Sequence, residues 1–159
     1  MARTSKTYSS QEALARLQKL CSRSEKCIYD IMLKLLQWGI EADESNKIIH
    51  ALQQNNFVNE ERYVRAYIRE KLDFAKWGHQ KIIRTLKAKQ IPSTLIDKTL
   101  AEFDESKYRD SLLELLRKKN LSLKDESQYS RKAKLLRFAL SRGYEYDLVY
   151  ELLSSKHIL

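Results

Sequence analysis

Apolar residues recur along this chain at helical spacing, and one pattern of them returns three times. Ile31-Met32, Ile82-Ile83 and Leu135-Leu136 stand eight and seven residues before the turns Gly39-Ile40, Gln90-Ile91 and Gly143-Tyr144. Ten residues after the first residue of each turn stand Ile49, Leu100 and Leu153. The turns are 51 and 53 residues apart. That period exceeds the ~34–47 residues of helix-pair repeats, so each repeat is expected to hold three helices.

Capping signals place the helices. Ser9-x-x-Glu12 is a capping box that opens a helix over about 10–22, and Ser22-x-x-Glu25 opens a second that runs to about Trp38. A third covers 43–54. Asn59, followed by Glu60 and Glu61, opens 60–74, with further helices over 79–90 and, after Pro92-Ser93, over 93–103. The last three are 106–119, 128–142 and 146–154. The expected fold is all-α, an elongated array of three tandem three-helix repeats over 10–56, 57–105 and 106–159, after a flexible tail at 1–9.

Composition supports helices. Three glycines and a single proline in 159 residues leave little material for tight β-turns, and 43% apolar residues exclude a disordered chain. The length suits one domain or a short row of modules. No window nears the roughly 18 apolar residues of a membrane span. Met1–Ser10 lacks the apolar stretch of a secretory signal, so a cytoplasmic protein without a membrane partner is expected. Cys21 and Cys27 match no zinc or redox spacing and read as packing residues. His50, His79 and His157 are scattered. There is no Gly-rich phosphate loop, nucleophile elbow or metal-ligand cluster, so the chain reads as a non-enzyme with no catalytic residue, cofactor or metal.

Charge changes the picture more. Lys and Arg number 30 against 21 Asp and Glu, a net +9 that attracts polyanions. Residues 62–89 carry net +7 and residues 107–142 again +7, whereas 3–56 is close to neutral. On a helical wheel the cations gather opposite the apolar arcs. Arg62, Arg65 and Arg69 lie behind Tyr63, Val64, Tyr67 and Ile68; Lys81 and Arg84 lie behind Ile82, Ile83 and Leu86. Arg131, Lys134, Arg137 and Arg142 lie behind Leu135, Leu136, Ala139 and Leu140. With Lys71, Lys76 and Lys87 they form the candidate binding surface, and Trp77 and Phe138 are its candidate aromatic contacts. A solvated face and a phosphate-reading face weigh about equally on this pattern. For Phe138 a widened core arc is the stronger reading.

Three segments resemble the RecX regulatory family. Asn56-Phe57-Val58-Asn59-Glu60-Glu61-Arg62-Tyr63-Val64-Arg65-Ala66-Tyr67-Ile68 is similar to the family's most diagnostic stretch. Trp77-Gly78-His79-Gln80-Lys81-Ile82-Ile83-Arg84, continuing to Gln90-Ile91, resembles the element that follows it. Arg137-Phe138-Ala139-Leu140-Ser141-Arg142-Gly143-Tyr144 resembles its C-terminal signature. Asn56 and Gln90 stand where the family often has glycine, and Asn59 where it has Asp. Asn tolerates left-handed backbone, whereas Gln90 leaves its turn less defined.

The resemblance implies a bacterial modulator of the RecA recombinase. Such a protein binds the groove of the RecA filament on DNA and suppresses ATP hydrolysis and strand exchange, with consequences for recombination, DNA repair and the SOS response. The implied partners are the RecA filament and single- or double-stranded DNA, bound by a monomer. The rival reading is a free-standing helical protein that holds DNA through phosphate contacts.

Overall fold

Residues 7–124, 127–155 and 158 are described by a computed structural model of the chain. Among them are the helices α1 (Ser10–Arg23), α2 (Ile28–Gln37), α3 (Ala42–Gln54), α4 (Glu60–Asp73), α5 (His79–Ala88), α6 (Ser93–Leu100), α7 (Glu105–Ser122), α8 (Gln128–Ser141) and α9 (Tyr146–Ser154). The described residues contain no strand, and the fold is all-α. The tail expected at 1–9 lies largely outside the described residues. Its last part is held: the Tyr8 ring meets Trp38 edge-on at 5.2 Å, and the Arg16 guanidinium lies 4.2 Å from the Tyr8 ring centre.

Two of the expected side-chain caps form, and one does not. Ser9 and Glu12 form the capping box in both directions, at 3.2 and 3.1 Å. The Asn59 side chain accepts the Arg62 N–H at 2.9 Å. The Ser22–Glu25 box does not form, and α2 begins later, at Ile28. Glu25 is drawn instead to Arg62 Nε, 2.9 Å away. The Ile28 N–H is capped by the Glu60 carboxylate at 2.8 Å, so a distant helix supplies what the local motif was expected to supply.

The repeated turns share one backbone device. Gly39, Gln90 and Gly143 all have left-handed φ, at +73°, +60° and +94°. At the first, Gly39 N–H donates to Leu36 O and Ile40 N–H to Leu35 O, both at 3.1 Å; at the third, Gly143 and Tyr144 do the same to Leu140 and Ala139. These paired bonds satisfy the last carbonyls of α2 and α8. The following residue, Ile40, Ile91 or Tyr144, is then delivered into the core. Gln90 takes this conformation although its side chain opposes it.

By compactness the chain divides into Met1–Ala66 with Lys89–Ile91, and Tyr67–Ala88 with Pro92–Leu159, so α4 contributes to both units. The first unit packs around Ala13, Leu17, Ile31, Leu35, Ile48 and Leu52. Lys89 is tied to it by a 2.6 Å ion pair with Asp30. Burial alone would lower the Lys89 ammonium, but its hydrogen bonds with Asp30 and Tyr63 hold it above its ordinary value. The second unit buries Ile68, Ile82, Leu86, Ile96, Leu112 and Leu135. The arc on α8 is narrower than expected: Leu135 and Ala139 are fully buried, whereas Leu140 is 38% exposed.

Within the second unit, the start of α5 is latched to the end of α8. Gly78 N–H donates to Arg142 O at 2.8 Å and Gln80 N–H to Gly143 O at 3.0 Å, so free donors of one helix meet free acceptors of the other. A Cβ on Gly78 would lie 2.1 Å from the Gly143 carbonyl carbon, which no side chain permits. Beside this contact the Tyr108 hydroxyl accepts the His79 N–H at 3.0 Å and donates to Glu145 at 2.7 Å. His79 stacks on Tyr108 at 3.8 Å, and its Nδ1 lies 3.3 Å from the second Glu145 oxygen. Burial would raise the Glu145 carboxyl; the His79 and Tyr108 hydrogen bonds outweigh it and hold the group below the usual carboxylate range.

Two stability measurements follow. Replacing Gln90→Gly removes the left-handed penalty and should raise unfolding stability by about 1 kcal/mol in urea titrations. Glu145 has a depressed folded pKa, so its stabilisation is complete above its unfolded value of about 4.3 and is lost as pH falls through the folded one. The stability gap between wild type and Glu145→Gln should therefore be widest near neutral pH and close on acidification.

Candidate polyanion-binding surface

The expected surface residues fall into three groups once their contacts are traced. The first is engaged in holding the fold. Arg62 pairs with Glu25 at 2.9 Å and donates through Nη2 to Asn56 O at 2.8 Å, fixing the left-handed turn at Asn56 against α4. Arg65 pairs with Glu61 one helical turn earlier, at 2.9 Å. Arg142 donates to Ala75 O at 3.1 Å and secures the chain just before the Gly78 latch. Lys76 occupies a left-handed position of its own, at φ +54°, with Nζ 3.5 Å from Ser111 Oγ.

The second group surrounds Trp77. The Lys71 and Lys81 ammonium groups lie 4.6 and 4.2 Å from its ring centre, and Lys71 is also 5.3 Å from the Tyr67 ring. Such distances are within cation–π range. The half-buried indole thus has two lysines gathered on it.

The third group faces solvent. Arg69 on α4, Arg84 and Lys87 on α5, and Lys134 and Arg137 on α8 are exposed, and Arg131 is half-buried. Lys134 and Arg137 line a shallow groove of about 470 Å³ between the end of α7 and α8, together with Lys119, Leu123, Phe138 and Ser141. Among the described residues no carboxylate lines it. Phe138 is half-buried, with the Lys119 ammonium 5.2 Å and the Arg142 guanidinium 5.4 Å from its ring centre. Four cations around one aromatic edge suit a polyanion that also carries flat apolar groups.

Sequence reasoning missed Lys119 and Leu123. The α7 helix runs to Ser122, a turn further than its expected end near 119, and that extra turn brings them beside α8. The acid-free stretch Arg117-Lys118-Lys119 was a legible sign of a cationic helix end. Its facing partner was not legible, because it depends on how α7 and α8 pack.

Comparison with known proteins places this geometry. Residues 59–100 match the family model described as "RecX, second three-helix domain", and 107–153 match "RecX, third three-helix domain". The regulatory protein RecX of Clostridium perfringens is 32% identical over 127 residues, 79% of this chain. That match spans only 58% of the clostridial protein's own length. The regulatory protein RecX of Vibrio parahaemolyticus is 28% identical over 153 residues, covering 96% of this chain and 94% of its own. Among solved structures, RecX from Lactobacillus salivarius superposes with a TM-score of 0.79 at 18% identity, over 91% of this chain and 94% of that one. At that identity the likeness is one of fold.

Alanine substitutions should separate the engaged from the exposed cations. Arg62→Ala removes an ion pair to the α1–α2 connection and a carbonyl partner and should cost about 1–2 kcal/mol. Arg84→Ala and Arg137→Ala should stay within about 0.5 kcal/mol of wild type. Chemical denaturation of the three variants checks both statements.

Proposed function

This chain belongs to the RecX family of regulatory proteins, and we propose that it restrains the RecA recombinase by occupying the groove of the RecA–DNA filament. Occupancy there inhibits ATP hydrolysis and strand exchange, and so modulates recombination, DNA repair and the SOS response. The protein acts in the cytosol, as a binder and without catalysis of its own. No helix among the described residues is long and apolar enough to cross a membrane.

The observation that carries this reading is the set of exposed cations on α5 and α8: Arg84, Lys87, Lys134 and Arg137. A nucleoprotein filament presents phosphates and carboxylates, and cations on helical scaffolds meet them with little cost of ordering. A regulator that works by occupancy needs this binding energy and no reacting group.

The free-standing DNA-binding reading has one observation in its favour. Phe138 among Lys119, Lys134 and Arg137 combines an aromatic edge with phosphate-binding charge, as single-strand binding requires.

Titration into RecA on single-stranded DNA distinguishes the two. Stoichiometric protein should suppress ATP hydrolysis, and the double variants Arg84→Glu/Lys87→Glu and Lys134→Glu/Arg137→Glu should suppress it less while keeping wild-type helicity. Binding to single-stranded DNA alone should weaken steeply with salt, each lost phosphate contact lowering the log–log slope by about 0.7. Undiminished inhibition by both double variants would remove these residues from the surface. Wild-type protein that binds DNA yet leaves the ATPase untouched favours the free-standing reading.

A further inference from the structure

The repeats allow each exposed residue to be compared with its counterparts, and four residues, two on α9 and two on α2, break the pattern. Tyr146 and Tyr150 on α9 are 51% and 49% exposed. Their counterparts one repeat earlier are Ser93 and Asp97, and two repeats earlier Ala42 and Asn46. Leu33 on α2 is 45% exposed, where the second and third repeats carry Arg84 and Arg137. Leu36, 71% exposed, has Lys87 as its counterpart in the second repeat. The fold accepts small or polar residues at these places, so packing within the chain does not call for the apolar ones.

The two sets differ in form and in charge. The tyrosines make a ridge: their rings stack at 5.9 Å and 16°, with the Lys132 ammonium 4.9 Å from Tyr150. Leu140 and Tyr129 on α8 are exposed as well, at 38% and 86%. The α9 helix carries Asp147 and Glu151 and no Lys or Arg, an acidic element in a chain of net +9. Glu151 is already held by Arg109 at 2.7 Å, which leaves Asp147 as the outward charge beside the ridge. The α1–α2 face is the converse. A pocket of about 240 Å³ opens there between Leu17, Leu20, Ile31 and Leu33, with Lys26 and Lys34 among its lining residues. Its one carboxylate, Asp30, is neutralised by Lys89.

We propose that two copies of this chain associate head to tail, the Tyr146–Tyr150 ridge of one seating in the α1–α2 pocket of the next. Apolar ridge meets apolar pocket, and Asp147 meets Lys26 and Lys34. The ridge and the pocket are different surfaces, so a copy that lacks one can still offer the other. Tyrosines at the centre of a contact usually carry much of its energy. The inference is independent of the RecA reading and stands or falls separately.

Sedimentation of the full chain over a concentration series tests it. Wild-type protein should rise above the single-chain mass of 18.8 kDa with concentration, to twice that value or more. A ridge variant (Tyr146→Ser/Tyr150→Asp) and a pocket variant (Leu33→Arg/Leu36→Lys) take residue types their sister repeats already carry, and circular dichroism checks that they fold. Each alone should associate at least about tenfold more weakly than wild type. Mixed, they should form a 1:1 dimer that grows no further, because one intact ridge and one intact pocket remain. A wild-type chain that stays at single mass throughout overturns the proposal. So does a folded pocket variant that self-associates like wild type, which would mean ridge-to-ridge pairing, or a mixture that fails to dimerise.

Discussion

Gly78 and Gly143 lie in backbone contact, and the second unit depends on that approach. A single Cβ on Gly78 would sit 2.1 Å from a carbonyl carbon, and one on Gly143 would sit 2.3 Å from Lys81 Cβ. Because neither is there, the opening N–H groups of α5 reach the closing carbonyls of α8, and opposed helix ends satisfy one another. The rest of the local arrangement follows. Tyr144 reaches Lys76 O, Arg142 reaches Ala75 O, and Trp77 is set where Lys71 and Lys81 close on it. Burial raises the Tyr144 hydroxyl to about 12, so it remains a neutral donor to that carbonyl at any ordinary pH.

The motifs that resemble RecX are, on this evidence of contacts, largely instructions for folding. In the first, Asn56 takes the left-handed turn, Asn59 caps α4, Glu60 caps α2, and Arg62 binds both Glu25 and Asn56 O. The second and third meet each other at the glycine latch. Exposed cations such as Arg84, Lys87, Lys134 and Arg137 sit within or beside these motifs on the opposite helix faces. A single helix thus has one flank held by packing and the other exposed to solvent.

Net charge alone overstates what is available to bind. Several cations of the +9 chain are committed to carboxylates, carbonyls or aromatic rings. Desolvating such a cation against a partner would first break a contact that the fold uses.

The all-α fold, the repeat near 51 residues and most helix limits were legible because each is written locally. Apolar periodicity, caps such as Ser9 and Asn59, and left-handed turn residues act within a few positions of themselves. Even the Gln90 turn was marked by its place in the period, although its residue type argued against it. What the sequence could not decide was which partner each side chain would take. Glu25 looked like a capping residue and became the partner of Arg62. Leu140 looked like core and faces solvent. The partner of Glu25 stands 37 positions away and is brought within 2.9 Å of it by packing, and only the tertiary structure contains that distance.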